Sequence, residues 1–428
     1  MIRRFLMNKE QLSQLIEDRF DELLDLLDQL IRFETVSPPA RNTQPIQAFV
    51  RQYLTDQDFE VDHWPFFQKD ELLVGCKKGT DSTNYHSLVL NGHVDVAPIG
   101  DEKDWIYPPF QLTQKDGRLY GRGTSDMKAA IAADLFLFKL LKEEGIPLKG
   151  DLLFHSVVGE ESGEAGTREI LEKGYGADYA IVSDTSELKI WGQGGCITGW
   201  IKLKTDKVFH DGNRRNLIHA GGGLKGFSTV EKMVKLIEGL QELERYWAIT
   251  KSYPEFATGS NTINPAYIEG GRNPAFIADT CSLWFTVHFY PNEKVEDITK
   301  EVTEHIQKVA QADPWMRDNP PIVEWGGRSM AEDKGEIFPA LELDQDHPGF
   351  KHLVKAYQNI KGEDPVIGMS PSVSDSGWFT PFNIPVVCFG PGEMKEAHAL
   401  NESSSRQELL EFTQIIGAFI LDWCNQKR

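Results

Sequence analysis

Residues 87–95 read Ser-Leu-Val-Leu-Asn-Gly-His-Val-Asp, a short apolar run that breaks into polar residues at its end. Such a run is too short for a helix and apolar on both faces, so it reads as a buried strand. Residues 152–158, 180–182 and 385–389 repeat the pattern, with helically spaced stretches between them. That alternation predicts an α/β sheet flanked by helices. Residues 127–141 are apolar nearly all round (Ile131, Leu135, Phe136, Phe138, Leu140), which predicts a buried helix. Apolar residues spaced from Leu12 to Leu27, with acids between them, predict one amphipathic helix over 12–31.

Between residues 197 and 325 the texture changes. A strand with alternating faces is expected at 197–203, further strands at 262–268 and 281–289, and a helix at 295–309. Ser228 and Glu231 have the spacing of a capping box that opens a helix carrying Val230, Met233, Val234, Ile237 and Leu240. This stretch reads as a separate α+β domain inserted into the first. The division expected is residues 1–196 and 328–428 for the outer domain and 197–327 for the insertion.

The chain has 428 residues, enough for two or three domains, and an ordinary globular composition. A formal net charge of -20 would repel nucleic acid and anionic membrane surfaces, so neither is expected as a partner. Cys76, Cys196, Cys281, Cys388 and Cys424 are scattered and odd in number, as reduced thiols are. Arg3 and Arg4 precede only a three-residue apolar patch, and no run is long enough to span a bilayer, so a cytoplasmic location is expected.

Residues able to bind metals recur where the expected strands end, which is where ligands bind in open α/β sheets. His93 and Asp95, two apart on an extended chain, share a face; one can hold a metal while the other orients it. The plainer reading is a turn histidine beside a solvated acid. Asp126 ends the glycine-bearing loop Gly121-Arg122-Gly123-Thr124-Ser125 and is either a helix cap or a carboxylate that bridges two cations. Glu160 and Glu161 follow a buried strand, where adjacent acids repel unless a cation separates them or one is protonated. A natural division gives one Glu to metal and the other to proton transfer. Asp184 and His398 follow two more strands. Such nitrogen and oxygen donors suit zinc, cobalt or manganese rather than copper(I) or iron–sulfur chemistry.

At these residues the chain resembles the M20 metallopeptidase family, whose members include acetylornithine deacetylase, succinyl-diaminopimelate desuccinylase and aminoacylase. The resemblance rests on Gly92-His93-Val94-Asp95 through Pro98, Gly121-Arg122-Gly123 through Asp126-Met127-Lys128, Gly159-Glu160-Glu161 and Ala397-His398, in the family's order. It implies a mixed-sheet α/β catalytic domain with an inserted ferredoxin-like lid and dimerisation domain. It further implies two divalent metal ions, zinc first and cobalt or manganese as alternatives. Asp126 would bridge them, His93 and Asp184 would complete one site, and Glu161 and His398 the other. Glu160 would be the general base and acid, Asp95 the partner of His93, and the Asp126–Met127 peptide cis. His219, seven residues before Gly226, would stabilise the oxyanion, with His210 its rival. Asn264 would line the same region, and a homodimer would form through the inserted domain.

One departure bears on substrate. Where many relatives place an arginine that grips a substrate carboxylate, this chain has His288, three residues before Pro291. A neutral imidazole gives no bidentate clamp; Arg214, Arg215 and Arg272 are the candidates to stand in. The nearest resemblance, including residues 209–223, is to members that remove formate from an aminopyrimidine without a carboxylate, a step of thiamin salvage. Trp191, Phe209, Tyr290 and Trp378 are candidates for stacking on such a ring. A small-molecule amide substrate is thus expected; an acetylornithine deacetylase-like N-acyl amino acid deacylase is the alternative.

Overall fold

The computed structural model describes residues 8–38, 42–214, 227–326 and 335–428. The chain forms two compact units. One runs up to Gln193 and resumes at Leu341; the other is Gly194–Ala340.

The first unit is built on an eight-stranded mixed sheet. In chain order its strands are β1 (Glu60–Pro65), β2 (Glu71–Lys77), β3 (Leu88–His93), β6 (Leu152–Val157), β7 (Tyr179–Val182), β8 (Ile190–Gln193), β14 (Ile367–Ser370) and β15 (Val386–Cys388). They lie in the order β1-β2-β6-β3-β7-β15-β8-β14. The central four, β6, β3, β7 and β15, run parallel to one another. Their carboxyl ends therefore open on one edge, and the polar residues that follow each strand are delivered there. Buried on both faces, β3 and β6 open with apolar runs and turn polar toward their ends, while β7 has no charged residue, as suits central parallel strands. A small sheet of β4 (Thr113–Lys115), β5 (Arg118–Tyr120) and β16 (Ser403–Ser405) completes the unit.

Helix α4 (Lys128–Glu143) is buried on every side, because it packs on β3 and is covered by α2 (Phe20–Ile31) and α9 (Arg406–Trp423). The opening helix expected over 12–31 is two helices, α1 (Lys9–Asp18) and α2. The break falls at Arg19, whose backbone leaves the helical region (φ -112, ψ 16) while its guanidinium is held by Glu22 and Glu143, both at 2.7 Å. Helices α3 (Gln44–Asp56), α5 (Gly166–Glu172) and α8 (Pro348–Lys361) complete the flanks.

The second unit runs β9 (Gly195–Lys204), α6 (Thr229–Thr250), β10 (Ile263–Gly270), β11 (Thr280–Phe289), α7 (Val295–Ala312) and β12 (Ile322–Trp325), with β13 (Ile337–Phe338) added beside β9. The order β10-β11-β9-β12 with two helices is ferredoxin-like. Residues of α6 and α7 enclose a core against the inward residues of β9 and β11. The capping box expected at Ser228 does not form: Ser228 is the N-cap, but its side chain makes no cap bond. Glu231 is instead engaged by Arg214 at 2.7 Å, a charge-assisted bond that competes with the neutral cap.

Candidate metal centre

Strand β3 ends on His93, and its parallel neighbours β6 and β7 lead into Glu160, Glu161 and Asp184. Asp126 closes the loop between β5 and α4, and His398 lies in the loop after β15. The Asp126–Met127 peptide is cis, and Met127 rather than Asp126 takes the N-cap position of α4, without a side-chain cap bond. Asp126 is thus free of the helix-capping role and is bonded elsewhere.

The two carboxylate oxygens of Asp126 face two different histidines. Oδ1 lies 3.1 Å from Nε2 of His93, and Oδ2 lies 3.2 Å from Nε2 of His398. Nε2 of His398 is also 2.9 Å from Oε2 of Glu161. His93, Asp126 and Glu161 offer ligand atoms all within 4.8 Å of one another. Oε2 of Glu160 is 3.9 Å from Nε2 of His93. Asp184 stands outside that tight group; its Oδ1 accepts its neighbour's N–H from Thr185 at 2.6 Å. His93 is buried, whereas His398 is exposed at the mouth.

Nδ1 of His93 lies 3.0 Å from the backbone carbonyl of Asp95, which fixes the tautomer that leaves Nε2 for a cation. The Asp95 carboxylate is farther, at 3.7 Å from Nδ1. It accepts the N–H groups of Gly159 and Glu161, so Asp95 holds His93 through its backbone and the Glu160 turn through its side chain.

The electrostatics are those of an excess of negative charge. Burial and then the charge of Asp126 push Glu161 up to about 7 and Asp184 up to about 6. Burial raises Glu160 well above the usual range; His93 opposes this, and Asp184, Asp375 and Glu161 reinforce it. Hydrogen bonds to Asp126 and Glu161 lift His398 to about 10. Burial would lower His93, but Asp126 and Glu160 outweigh it and hold its pKa well up. Both imidazoles thus favour their charged forms, the positive charge that divalent cations would otherwise bring. Oε1 of Glu161 is buried with no hydrogen-bond partner, a donor free for a cation. The donor set fits two divalent ions.

Other groups around the centre were not singled out from the sequence. Asn91 donates to the Thr167 hydroxyl at 3.0 Å, which donates to the buried Asp375 at 2.8 Å. Burial takes Asp375 up to about 7. The buried Lys128 donates from Nζ to the Phe33 carbonyl at 2.7 Å, facing the charges of Asp95 and Glu402. Arg122 and Lys128 stood within the quoted loop; nothing local marked Thr167, Asp375 or Glu402.

Apart from Trp191 and Trp378, the remaining expected residues belong to the second unit. His219 and Arg215 lie outside the described residues. His210 is exposed, and its Nδ1 accepts the Gly212 N–H at 3.1 Å, so this nitrogen is engaged in its own turn. Asn264 is exposed on β10, and His288 is half-buried on β11 opposite Cys196. Burial pushes the His288 imidazole down, which favours its neutral form. Arg214 is paired with Glu231 and Arg272 with Asp279. Of the aromatics, Tyr290 packs against Phe256 in its own core, Trp191 and Trp378 are buried, and Phe209 is half-buried.

Residues 89–422 match the family described as peptidase family M20/M25/M40. The chain is 51% identical over 417 residues to the N-formyl-4-amino-5-aminomethyl-2-methylpyrimidine deformylase of Bacillus subtilis (strain 168), covering 97% of this chain and 98% of that one. It is also 51% identical to the protein of the same name from Halalkalibacterium halodurans, over 98% of each chain. Among solved structures it resembles a dinuclear metal binding peptidase of the M20 family from Bacillus subtilis, with TM-score 0.63 and 16% identity over 95% of this chain and 98% of that one. With the histidines and acids in place at the strand ends and the match running nearly from end to end, the chain belongs to the peptidase family M20/M25/M40.

Proposed function

We propose that the protein removes the formyl group from N-formyl-4-amino-5-aminomethyl-2-methylpyrimidine, using two zinc ions. The observation that carries the metal reading is Asp126, whose two oxygens each face the Nε2 of a different histidine. His93, Asp126 and Asp184 would hold one cation, and Asp126, Glu161 and His398 the other. Two such cations supply the positive charge that polarises an amide carbonyl and acidifies water. The substrate reading is supported by the 51% identity to two proteins named for this reaction. Neutral His288, with Arg214 and Arg272 already paired, fits a substrate that has no carboxylate to grip.

Glu160 takes a proton from water as its oxygen attacks the formyl carbon, and passes that proton to the amine nitrogen as the C–N bond breaks. The products are formate and the free aminomethylpyrimidine. Burial, with Asp184, Asp375 and Glu161 nearby, raises the Glu160 carboxyl above its usual range, the direction a group that must carry a proton to the amine requires. Asp95 fixes the turn on which Glu160 stands. His219 is the residue assigned to the oxyanion in preference to His210, with Asn264 and His288 contributing to substrate binding.

A homodimer through the second unit accords with the exposed Val234, Tyr246 and Ile249 on α6 and Tyr267 and Ile268 on the edge strand β10. A cytoplasmic location accords with five cysteines that are all free; no helix among the described residues is long and apolar enough to cross a membrane. The test of the activity is formate and acetate release by the zinc-loaded protein, offered formylaminopyrimidine and acetylornithine at equal concentration. Formate alone is expected. Acetate alone would replace the proposal with deacylation of N-acyl amino acids.

A further inference from the structure

Glu402 lies four residues beyond His398 and is fully buried. Its Oε1 accepts three backbone N–H groups, from Gly123 at 3.0 Å, Ser125 at 2.7 Å and Asp126 at 3.0 Å. Its Oε2 accepts Nη1 of Arg122 at 2.6 Å. Arg122 is buried as well, and its Nη2 donates to the carbonyls of Pro98 at 2.9 Å and His398 at 3.3 Å. One ion pair therefore ties together the turn after Asp95, the loop that presents Asp126 and the loop that presents His398.

The ligands differ in how their backbones are held. His93 ends β3, and Asp184 follows β7 beside it, where the Ser183 N–H donates to the Asn91 carbonyl at 2.9 Å. The sheet ladder positions both. Asp126 and His398 sit on irregular loops, and His398 has a left-handed backbone (φ 61), a conformation that a non-glycine residue keeps only where its surroundings hold it. Burying a charged pair is costly, and apolar packing often serves a fold as well. Here the pair meets donors and acceptors of two loops that adjoin the paired strands β5 and β16.

We infer that Glu402 and Arg122 are positioning residues for the half of the centre formed by Asp126, Glu161 and His398, and that they set how tightly that half keeps its cation. This rests on the reading of those three residues as ligands. Without the clamp the His398 half loses the register of both its loop-borne ligands, Asp126 and His398, whereas the His93 half shares only Asp126 and keeps His93 and Asp184 on the sheet.

The experiment loads wild type, Glu402→Ala and Arg122→Lys with zinc, dialyses each against a graded chelator, and counts the zinc retained. The unfolding midpoint of each metal-free protein is recorded alongside. Wild type is expected to hold two equivalents and each variant one, with the second zinc bound about 10–100-fold more weakly. Arg122→Lys is the deciding variant, since it keeps the buried charge and the fold but cannot span both carbonyls with a fork. A merely structural role would lower the metal-free midpoint and leave the ratio of the two zinc affinities unchanged. A folded Arg122→Lys protein holding two zinc ions as tightly as wild type overturns the inference. A wild type that never holds two defeats the reading of the centre instead, a separate failure seen before any variant is compared.

Discussion

The carboxylate of Asp95 receives the backbone N–H of Gly159 at 2.9 Å, so the residue two beyond the strand end at His93 anchors the turn presenting Glu160. Asparagine at position 95 would keep one acceptor and aim an amide N–H at the other donor. Asp95→Asn is expected to lower kcat/KM by about 10–100-fold. Steady-state kinetics with the formylated pyrimidine checks this; an unchanged kcat/KM would mean that the turn is held without Asp95.

In the proposed mechanism Glu160 moves protons and holds no cation. Glu160→Gln should therefore retain both metal equivalents by elemental analysis while kcat falls by about 10²–10⁴-fold, the usual contribution of a positioned acid–base group. Loss of metal from this variant would move Glu160 into the ligand set.

Asp126 faces both halves of the centre. Chelation of the wild type should abolish formate release, and added zinc should restore it. Asp126→Ala is expected to stay at background after the same zinc addition, with less than one bound equivalent. Full recovery would show that the bridging carboxylate is dispensable.

Phe138, fully buried on α4, packs against Phe59 and Phe154 at ring separations of 4.8 and 5.7 Å. Phe138→Ala should destabilise the first unit by about 3–5 kcal/mol. Urea unfolding of the metal-free protein reads this, and a loss under 1 kcal/mol would mean that the cavity collapses without cost.

In the second unit the buried Asp313 accepts from Lys232 at 2.8 Å, from Lys235, and from the N–H groups of Trp315 and Met316. Burial alone would raise its pKa, but these bonds outweigh it and hold the carboxyl well below the ordinary range. A folded pKa below the unfolded value of about 4 gives stability that is present above that pH and is lost as pH falls toward the folded value. Asp313→Asn should cost about 3–5 kcal/mol at pH 7, and the gap from wild type should narrow below about pH 4. Thermal unfolding across pH 7 to 3 reads it. A gap that stays constant with pH would remove the charge from the account.

The central strands are legible because burial on both faces gives each an apolar run, and the polar residues at and after their ends mark the candidate centre. The edge strands were not. β1, Glu-Val-Asp-His-Trp-Pro, is largely exposed and pairs with β2 at the margin of the sheet, so nothing forces an apolar run. The break at Arg19 is not legible because apolar spacing continues across it, and the Glu143 that helps hold its guanidinium lies far along the chain. The capping box failed for a like reason, since spacing cannot reveal that Arg214 takes Glu231. Glu402 reads as an ordinary surface acid in Asn-Glu-Ser-Ser-Ser; its burial comes from a loop some 280 residues earlier in the chain.

Gln193 and Leu341, the residues between which the second unit departs and returns, are hydrogen-bonded to each other in both directions, at 3.0 and 2.9 Å. To the sheet, everything between them is one closed loop. The entropy of closing a loop grows only with the logarithm of its length, by about 0.6 kcal/mol per doubling. Lengthening or shortening the second unit therefore changes the closure entropy borne by the first only slightly, because the chain leaves and re-enters that unit at neighbouring, hydrogen-bonded residues.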